Sequence, residues 1–175
     1  MIIGSKFQLH ETIKQQLLDL INDKHYEPYV GTNVHITRCD WEDGNIMIQR
    51  PWTSFFLPLL IPFMRNRMAN LHYTDIKIQA LWFQQYYQNS FHGWHTHGNN
   101  WTSVYYLDLP DDSPKTELII NDKLVIPEIS EGDIITFPSH IIHRAAPNKS
   151  SLPKTIISWN MDTVFLNFNF IPPVE

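Results

Sequence analysis

The chain has 175 residues, a net charge of −5 and one cysteine, and these values disfavour several classes of protein. Its length fits one domain, and its hydrophobic fraction of 43% is enough for a sizeable core. The acidic balance makes binding to nucleic acid an unfavoured function, because such proteins usually present a basic surface. A single cysteine, Cys39, cannot form an internal disulfide, and we expect a cytoplasmic protein with an unreactive thiol.

The first 75 residues are predicted to be mainly helical. Residues 7–23 carry apolar side chains at three- and four-residue steps, which indicates an amphipathic helix. A second helical stretch is predicted over 51–71, broken by its internal prolines. Its most apolar part, 55–64, is about half as long as the roughly 20 residues that a membrane span needs, so no span is expected. It either packs in the core or docks on a membrane surface or partner, and it is the first choice of contact surface for a possible homodimer.

From residue 76 the pattern changes to short runs of β-branched and aromatic residues separated by turn residues. Strands are predicted over 77–87, 101–109, 116–120, 123–126, 133–137, 141–146, 154–162 and 164–169. Helices followed by about eight strands predict a mainly β protein with N-terminal helices, folded as a β-sandwich or jelly roll. We expect one domain over 1–175, with helical support in 1–75 and a jelly-roll core in 76–170.

Two short windows hold five of the nine histidines: His92, His95 and His97 in the first, and His140 and His143 in the second. On extended backbone, residues two apart project from the same face, so His95 and His97 can converge on one ion. His143 follows two isoleucines, where an unpaired polar side chain carries a desolvation cost that metal coordination removes. Taken alone, the position of His143 is more typical of a hydrogen-bonded core residue than of a metal ligand. Together the two windows predict a metal centre of His95, His97 and His143.

Three segments carry a resemblance to a known family. They read W-H-T-H-G-N-N-W-T-S-V-Y-Y-L-D-L-P at 94–110, E-G-D-I-I-T-F-P-S-H-I-I-H at 131–143 and K-T-I-I-S-W-N at 154–160. This combination resembles the 2-oxoglutarate/Fe(II)-dependent oxygenases of phages and marine bacteria, whose superfamily includes prolyl hydroxylases and oxidative DNA-demethylation enzymes. The resemblance covers about residues 76–162, and it implies a double-stranded β-helix, which is a jelly roll, with Fe(II) inside.

The same resemblance implies a role for each histidine of the predicted centre. In the superfamily the iron ligands form an H-x-D/E…H pattern, which places the first ligand on His95 and the distal ligand on His143. His97 stands where the carboxylate is usual, although the related subfamily often shows H-x-H. We therefore predict His97 as the third ligand, with Asp108 or a water as the alternatives. A neutral imidazole in place of a carboxylate leaves the iron site one charge unit more positive.

The resemblance also implies that 2-oxoglutarate is the cosubstrate. In the superfamily a cation some ten residues beyond the distal histidine pairs with the far carboxylate of 2-oxoglutarate. Lys154 stands eleven residues beyond His143 and is predicted to fill this role. Arg144 and Lys149 are rival cations whose spacing fits less well.

Further contacts to 2-oxoglutarate are expected from polar residues on the flanking strands. Family members often use a tyrosine about nine residues before the first ligand, which corresponds to Tyr86, and Gln84 shares its strand face. Tyr106 is a further candidate on the strand after the H-x-H motif. Ser158 and Asn160 share a strand face with Lys154, and either side chain is expected to supply a polar contact.

These expectations describe an oxygenase that hydroxylates an unidentified small molecule or peptide while 2-oxoglutarate is converted to succinate and CO2. Two other functions remain open. A cupin-like metalloprotein also combines a jelly roll with several histidines, but it has no need of Lys154. A non-catalytic β-sandwich binding module would carry the histidines without using them. The side chains of Trp82, Trp94, Trp101 and Phe91 either form pocket walls or pack in the core.

Overall fold

The computed structural model describes residues 1–164, and this part of the chain is mainly β, with two antiparallel sheets of six strands each. Its helices are α1 (His10–Asn22) and α2 (Pro51–Ala69), with a 3-10 turn at Trp41–Asp43. Its strands are β1 (Ile3–Lys6), β2 (Tyr29–Gly31), β3 (Val34–Ile36), β4 (Arg38–Cys39), β5 (Ile76–Tyr86), β6 (Phe91–His95), β7 (Trp101–Asp108), β8 (Thr116–Ile120), β9 (Lys123–Val125), β10 (Asp133–Pro138), β11 (His143–Ala145) and β12 (Lys154–Thr163). The predicted strand over 164–169 lies, apart from its first residue, outside the described residues.

The two sheets are built by a chain that crosses repeatedly between them. The first sheet has the order β1-β10-β7-β12-β5-β4, and the second has the order β2-β3-β6-β11-β8-β9. From β5 onward the chain enters the first sheet at β5, β7, β10 and β12, and it enters the second sheet between them. This winding is that of a jelly roll. The prediction of a mainly β protein is confirmed.

The N-terminal segment that was expected to be helical also supplies strands to both sheets. The strand β1 pairs with β10 at one edge of the first sheet, and β4 pairs with β5 at the other. The hairpin of β2 and β3 extends the second sheet beside β6. These strands have only two to four residues, too few for a periodic sequence signal, and their conformation depends on partners far along the chain.

Helix α2 is continuous, which corrects the expectation that its prolines break it. Its buried stripe consists of residues four apart, Trp52, Phe56, Leu60, Met64 and Met68, with Thr53 beside it. The two internal prolines, at positions 58 and 62, lie on the exposed face. The carbonyl groups that lose their intrahelical donors there can bond to water, so the helix tolerates both rings. No helix in the described part of the chain is long and apolar enough to cross a membrane.

Side-chain alternation divides the first sheet into a helix-facing side and an interior side. On β5, Leu81 and Phe83 pack with the helices, whereas Trp82 and Tyr86 pack between the two sheets. The strands β7 and β12 alternate in the same way, since successive side chains of a strand point to opposite faces. The interior faces of these strands are therefore the ones that meet the second sheet, which carries His95 and His143.

A buried carboxylate ties the segment before α2 to the first sheet. The Asp40 side chain accepts hydrogen bonds from Arg50 Nη1 at 2.5 Å, Trp52 Nε1 at 2.8 Å and the backbone N–H of Phe83 at 2.8 Å. Burial raises the pKa of Asp40, and the Arg50 guanidinium opposes that shift. These bonds hold the 3-10 turn that begins at Trp41 against β5.

Candidate metal centre and cosubstrate pocket

Three histidines meet where strand β6 ends beside the start of its neighbour β11 in the second sheet. His95 is the last residue of β6, and His143 is the first residue of β11 and its paired partner. His97 lies two residues beyond β6, where its backbone N–H donates to the Ser139 carbonyl at 2.9 Å. One ring nitrogen from each histidine lies within 4.8 Å of the other two. The sequence therefore predicted the grouping, although only His95 of the H-x-H pair belongs to a strand.

The hydrogen bonds of two of these rings leave a nitrogen free for a metal. His95 Nδ1 donates to the Gly93 carbonyl at 2.7 Å, and His143 Nδ1 donates to the Ile141 carbonyl at 2.9 Å. A carbonyl oxygen can only accept, so each neutral ring carries its proton on Nδ1 and keeps a lone pair on Nε2. Backbone carbonyls fix metal-binding histidines in this way in many proteins.

The electrostatic setting also favours neutral rings that can bind a metal. Burial lowers the pKa of His143 to about 3 and that of His97 to about 4, and the neighbouring histidines reinforce both shifts. Burial also lowers the pKa of His95, against the opposing effect of its bond to Gly93. The rings are consequently neutral near pH 7, as a metal ligand must be.

No carboxylate joins the three histidines within residues 1–164. The predicted alternative, Asp108, lies at the end of β7 and accepts a hydrogen bond from Lys14 Nζ at 2.8 Å. Lys14 also pairs with Glu131 at 2.7 Å. Asp108 therefore belongs to a half-exposed ion-pair cluster beside α1, and His97 is the residue that accompanies His95 and His143.

A fourth histidine, His92, stacks on His95 with ring centroids 3.8 Å apart and planes inclined by 11°. Two residues of β6, Gly93 and Trp94, lie opposite the single residue Arg144 of β11, which is a β-bulge. The extra residue turns His92 and His95 to the same face, and strict alternation would place them on opposite faces. Sequence spacing alone could not reveal that His92 and His95 share a face.

A narrow inner cavity of about 30 Å³ lies beside the histidines, between the two sheets. Besides the four histidines it is lined by Trp82, Gln84, Tyr86, Thr102, Val104, Thr116, Arg144, Ala145, Ile156 and Ser158. A second, outer cavity of about 150 Å³ is lined by three of these histidines, His92, His95 and His97. Its remaining walls are Tyr29, Ile36, Cys39, Trp41, Trp82, Gln84 and Thr96. Trp82 and Gln84 also border both cavities, so the two spaces adjoin each other.

Lys154 is a buried cation that contacts Tyr86, a lining residue of the inner cavity, without lining that cavity itself. Its side chain is 1% exposed, Nζ donates to the Pro114 carbonyl at 2.8 Å, and Nζ lies 4.7 Å from the centre of the Tyr86 ring. Within residues 1–164 it has no ion-pair partner. Burial lowers the pKa of Lys154 to about 7. An isolated buried charge is unfavourable, so the pocket is suited to an anion that would pair with it.

The two rival cations have other surroundings. Arg144 Nε donates to Glu117 at 2.7 Å, and its guanidinium lies 4.5 Å from the Trp94 ring. Lys149 is exposed to solvent. Neither side chain is both buried and free of a carboxylate partner, as Lys154 is.

The other residues predicted to contact 2-oxoglutarate have different positions. Gln84 and Tyr86 line the inner cavity, and Ser158, which donates to Gln84 at 3.1 Å, does so too. Tyr106 lies behind the lining, where its hydroxyl donates to Thr116 Oγ1 at 2.6 Å. Asn160 lies beside His97 at the metal end, and not beside the Lys154 ammonium.

Only one of the four aromatic residues suggested as pocket walls lines these cavities. Trp82 does so, and it contacts Trp41 edge to face with ring centroids 4.3 Å apart. Trp101 packs on the helix side of the first sheet, and Trp94 is exposed beside Arg144. The wall residues Tyr29 and Trp41 were not predicted, because they come from the short N-terminal elements. Cys39 is also a wall residue, and burial raises the pKa of its thiol to about 12, as expected for an unreactive thiol.

No protein-family model and no curated protein matches this sequence. Solved structures do match its fold. A 2OG-Fe(II) oxygenase family oxidoreductase from Burkholderia pseudomallei has a TM-score of 0.68 and 14% identity, over 84% of this chain and 77% of that one. The viral collagen prolyl hydroxylase of Paramecium bursaria Chlorella virus-1, solved with 2OG, has a TM-score of 0.66 and 13% identity, over 91% of this chain and 94% of that one.

A third structure extends the comparison to an animal protein. A prolyl hydroxylase from Trichoplax adhaerens, solved with a hypoxia inducible factor peptide, has a TM-score of 0.64 and 16% identity, over 91% of this chain and 82% of that one. At these identities the likeness establishes the shared fold. Evidence on function has to come from the residues of this chain.

Proposed function

We propose that this protein is an oxygenase that uses Fe(II) and 2-oxoglutarate to hydroxylate a small molecule or peptide. The observation that carries the proposal is Lys154, a buried cation without a carboxylate partner in the described part of the chain. It lies on the strand that follows the distal histidine, on the interior face of the jelly roll. A metal site alone would not require such a residue, whereas a dicarboxylate bound to the metal would place an anion in its reach.

The histidine group fits the metal that this chemistry requires. Three neutral imidazoles suit divalent iron, and His95, His97 and His143 would hold it while leaving positions for other ligands. Bound there, iron would supply the oxidising chemistry by activating O2 together with 2-oxoglutarate. Because none of the three ligands carries a charge, the site keeps the full charge of the ion and favours an anionic partner.

The two cavities support a division of roles between cosubstrate and substrate. Gln84, Tyr86 and Ser158 line the inner cavity and would bind and orient 2-oxoglutarate there, while Lys154 lies behind the Tyr86 ring. At about 30 Å³ it is smaller than a five-carbon diacid, so its side chains must move outward when the ligand binds. The outer cavity is larger and has aromatic walls, which suits it to the substrate.

One observation favours a second candidate, a cupin-like metalloprotein that does not use 2-oxoglutarate. Within residues 1–164 the candidate metal group consists of three histidines with no carboxylate, a set that a cupin would also present. The two functions differ in what Lys154 does, since only the first requires a dicarboxylate near its ammonium group.

Calorimetric titration of 2-oxo acids into the Mn(II)-loaded protein distinguishes the two functions. Mn(II) takes the place of Fe(II) so that binding is measured without turnover. We expect 2-oxoglutarate to bind and 2-oxobutanoate, which lacks the far carboxylate, to bind at least tenfold more weakly. Lys154→Met should remove this preference, whereas the matched variant Lys149→Met, altered at an exposed lysine, should keep it. Equal affinity for the two acids, or an unchanged preference in Lys154→Met, would favour the cupin-like function.

A further inference from the structure

We infer that Asn160 is the positioning residue for His97, and that a buried chain of Asn160, Thr102 and Ser139 decides which ring nitrogen of His97 faces the metal. This inference rests on the proposed function only in taking His97 as a metal ligand. It addresses the one histidine of the group whose Nδ1 has no backbone carbonyl as its partner in the described structure.

The chain of side chains is continuous and buried. Asn160 Nδ2 lies 3.4 Å from His97 Nδ1, and Asn160 Oδ1 lies 3.0 Å from Thr102 Oγ1. Thr102 Oγ1 in turn lies 2.8 Å from Ser139 Oγ. Asn160, Thr102 and Ser139 are 5%, 1% and 0% exposed, so they exchange few bonds with water.

The backbone reinforces the same connection. Thr102 of β7 and Asn160 of β12 are direct cross-strand partners, and both side chains point into the jelly roll. The carbonyl of Ser139, at the turn between β10 and β11, accepts the backbone N–H of His97 at 2.9 Å. Both the main chain and the ring of His97 are therefore held by one group of residues.

The chemistry of the ring determines the orientation of the Asn160 amide. With the amide nitrogen toward Nδ1, the neutral ring would carry its proton on Nε2 and could not bind a metal through that atom. The oxygen and nitrogen of an amide have nearly the same shape, and the hydrogen-bond network decides between them. We assign the oxygen toward His97, so that Nδ1 donates to Asn160 and Nε2 keeps its lone pair.

This assignment gives all three rings the same arrangement. His95 and His143 each donate Nδ1–H to an amide carbonyl oxygen of the backbone, and His97 donates to the amide oxygen of a side chain. The Asn160 nitrogen then donates to Thr102 Oγ1, whose hydroxyl proton goes to Ser139 Oγ. A carboxylate at position 97 would have no tautomer to fix, so the chain serves the imidazole in particular.

Metal affinity in a double-mutant cycle tests whether Asn160 acts through His97. Asn160→Leu keeps the branched shape of the side chain and removes both hydrogen bonds, and we expect it to weaken Co(II) binding by about 10- to 100-fold. In the His97→Ala background the same substitution should have no further effect. An equal loss in both backgrounds would show a general structural effect and would overturn the inference.

A matched control separates positioning from the loss of any buried polar bond. Ser103 Oγ and Thr136 Oγ1 form a comparable buried pair at 2.8 Å on the other face of β7. Ser103→Ala should leave the Co(II) affinity unchanged, and thermal unfolding should show that both variants fold. A loss of affinity in Ser103→Ala as large as that in Asn160→Leu would contradict a specific role for Asn160.

The tautomer can be read directly by nitrogen NMR of the metal-free protein. We expect His97 to carry its proton on Nδ1 in the wild type and in Asn160→Asp, because a carboxylate can accept the same bond. Asn160→Leu should shift the ring toward the other tautomer. A wild-type ring protonated on Nε2 would overturn the inference. None of these measurements uses 2-oxoglutarate. If 2-oxoglutarate failed to bind, that result would contradict the proposed function and would not affect this inference.

Discussion

Lys154 gives the pocket a dependence on pH that can be measured. Its folded pKa of about 7 lies below the ordinary value of 10.5 because of burial, so above pH 7 the free pocket holds a neutral amine. A dicarboxylate binds best to the charged form, and above pH 7 its binding must therefore take up a proton. We expect the affinity of the Mn(II)-loaded protein for 2-oxoglutarate to fall by up to about tenfold per unit of pH above 7.

A variant with a permanent charge provides the control for that dependence. Lys154→Arg keeps the cation at every accessible pH, because the guanidinium does not lose its proton. Calorimetry from pH 6 to 9 should then show a sloping affinity for the wild type and a flat one for Lys154→Arg. Parallel curves for the two proteins would mean that Lys154 does not titrate on binding.

The buried histidines predict a loss of stability in acid. His92 and His143 have pKa values near 3 because burial disfavours their charged forms, whereas in the unfolded chain histidine takes up a proton near pH 6.5. Between these values the unfolded chain binds more protons than the folded one, so the free energy of unfolding falls as the pH falls from about 6.5 toward 3. Urea unfolding of the metal-free protein at a series of pH values measures this slope.

The contribution of one ring can be isolated by comparing two glutamine variants. His92→Gln should make the acid slope shallower, because one buried group no longer titrates on unfolding. His25→Gln, at a histidine that is 81% exposed, should leave the slope as in the wild type. The same slope in all three proteins would contradict the role assigned to burial.

At the residue scale, the sequence predicted which side chains come together but not how they are fixed. His95, His97 and His143 were found from spacing, and Lys154 from a family resemblance. The amide that contacts His97 comes from a strand more than 60 residues away, and it was expected to contact the cosubstrate instead. Long-range hydrogen bonds leave no local pattern, so only the folded structure could reveal them.

Helix α2 shows how one element supports the sheet that carries the site. Leu60 is fully buried in its stripe, whereas Leu59 is only partly buried. Leu60→Ala should lower the free energy of unfolding by about 2–5 kcal/mol, because it removes buried methyl groups and leaves a cavity. The matched change Leu59→Ala should cost clearly less. Chemical unfolding measures both, and equal losses would contradict the assignment of the buried stripe.

Among the elements, those from residue 101 onward were predicted best, including the short strands β8 and β9, because turn residues mark their ends. The long strands β5, β7 and β12 and both helices were predicted within a few residues, because their periodicity extends over many positions. The strands β1 to β4 and the strand β6 were not among the predicted strands, and they include residues beside the outer cavity. The bulge in β6 was missed as well, since it depends on the pairing with β11 and not on the residues of β6 alone.

At the scale of the whole molecule, the jelly roll explains why residues from distant segments form one site. Winding between the sheets places the end of β6, the start of β11 and the interior face of β12 around one space. The mainly β class followed from composition and strand pattern, and the resemblance implied the winding. Neither could define the size of the cavities, which depends on how the side chains of both sheets pack. The substrate and a possible homodimer remain predictions.

The most direct test of the central claim is the visible absorption spectrum of the protein with Fe(II) and 2-oxoglutarate under anaerobic conditions. When 2-oxoglutarate chelates ferrous iron, a weak charge-transfer band is expected, and it should be absent with Fe(II) alone. His143→Ala should abolish the band, and Lys154→Ala should require a much higher concentration of 2-oxoglutarate to reach it. The absence of any band in the wild type at saturating Fe(II) and 2-oxoglutarate would contradict the account.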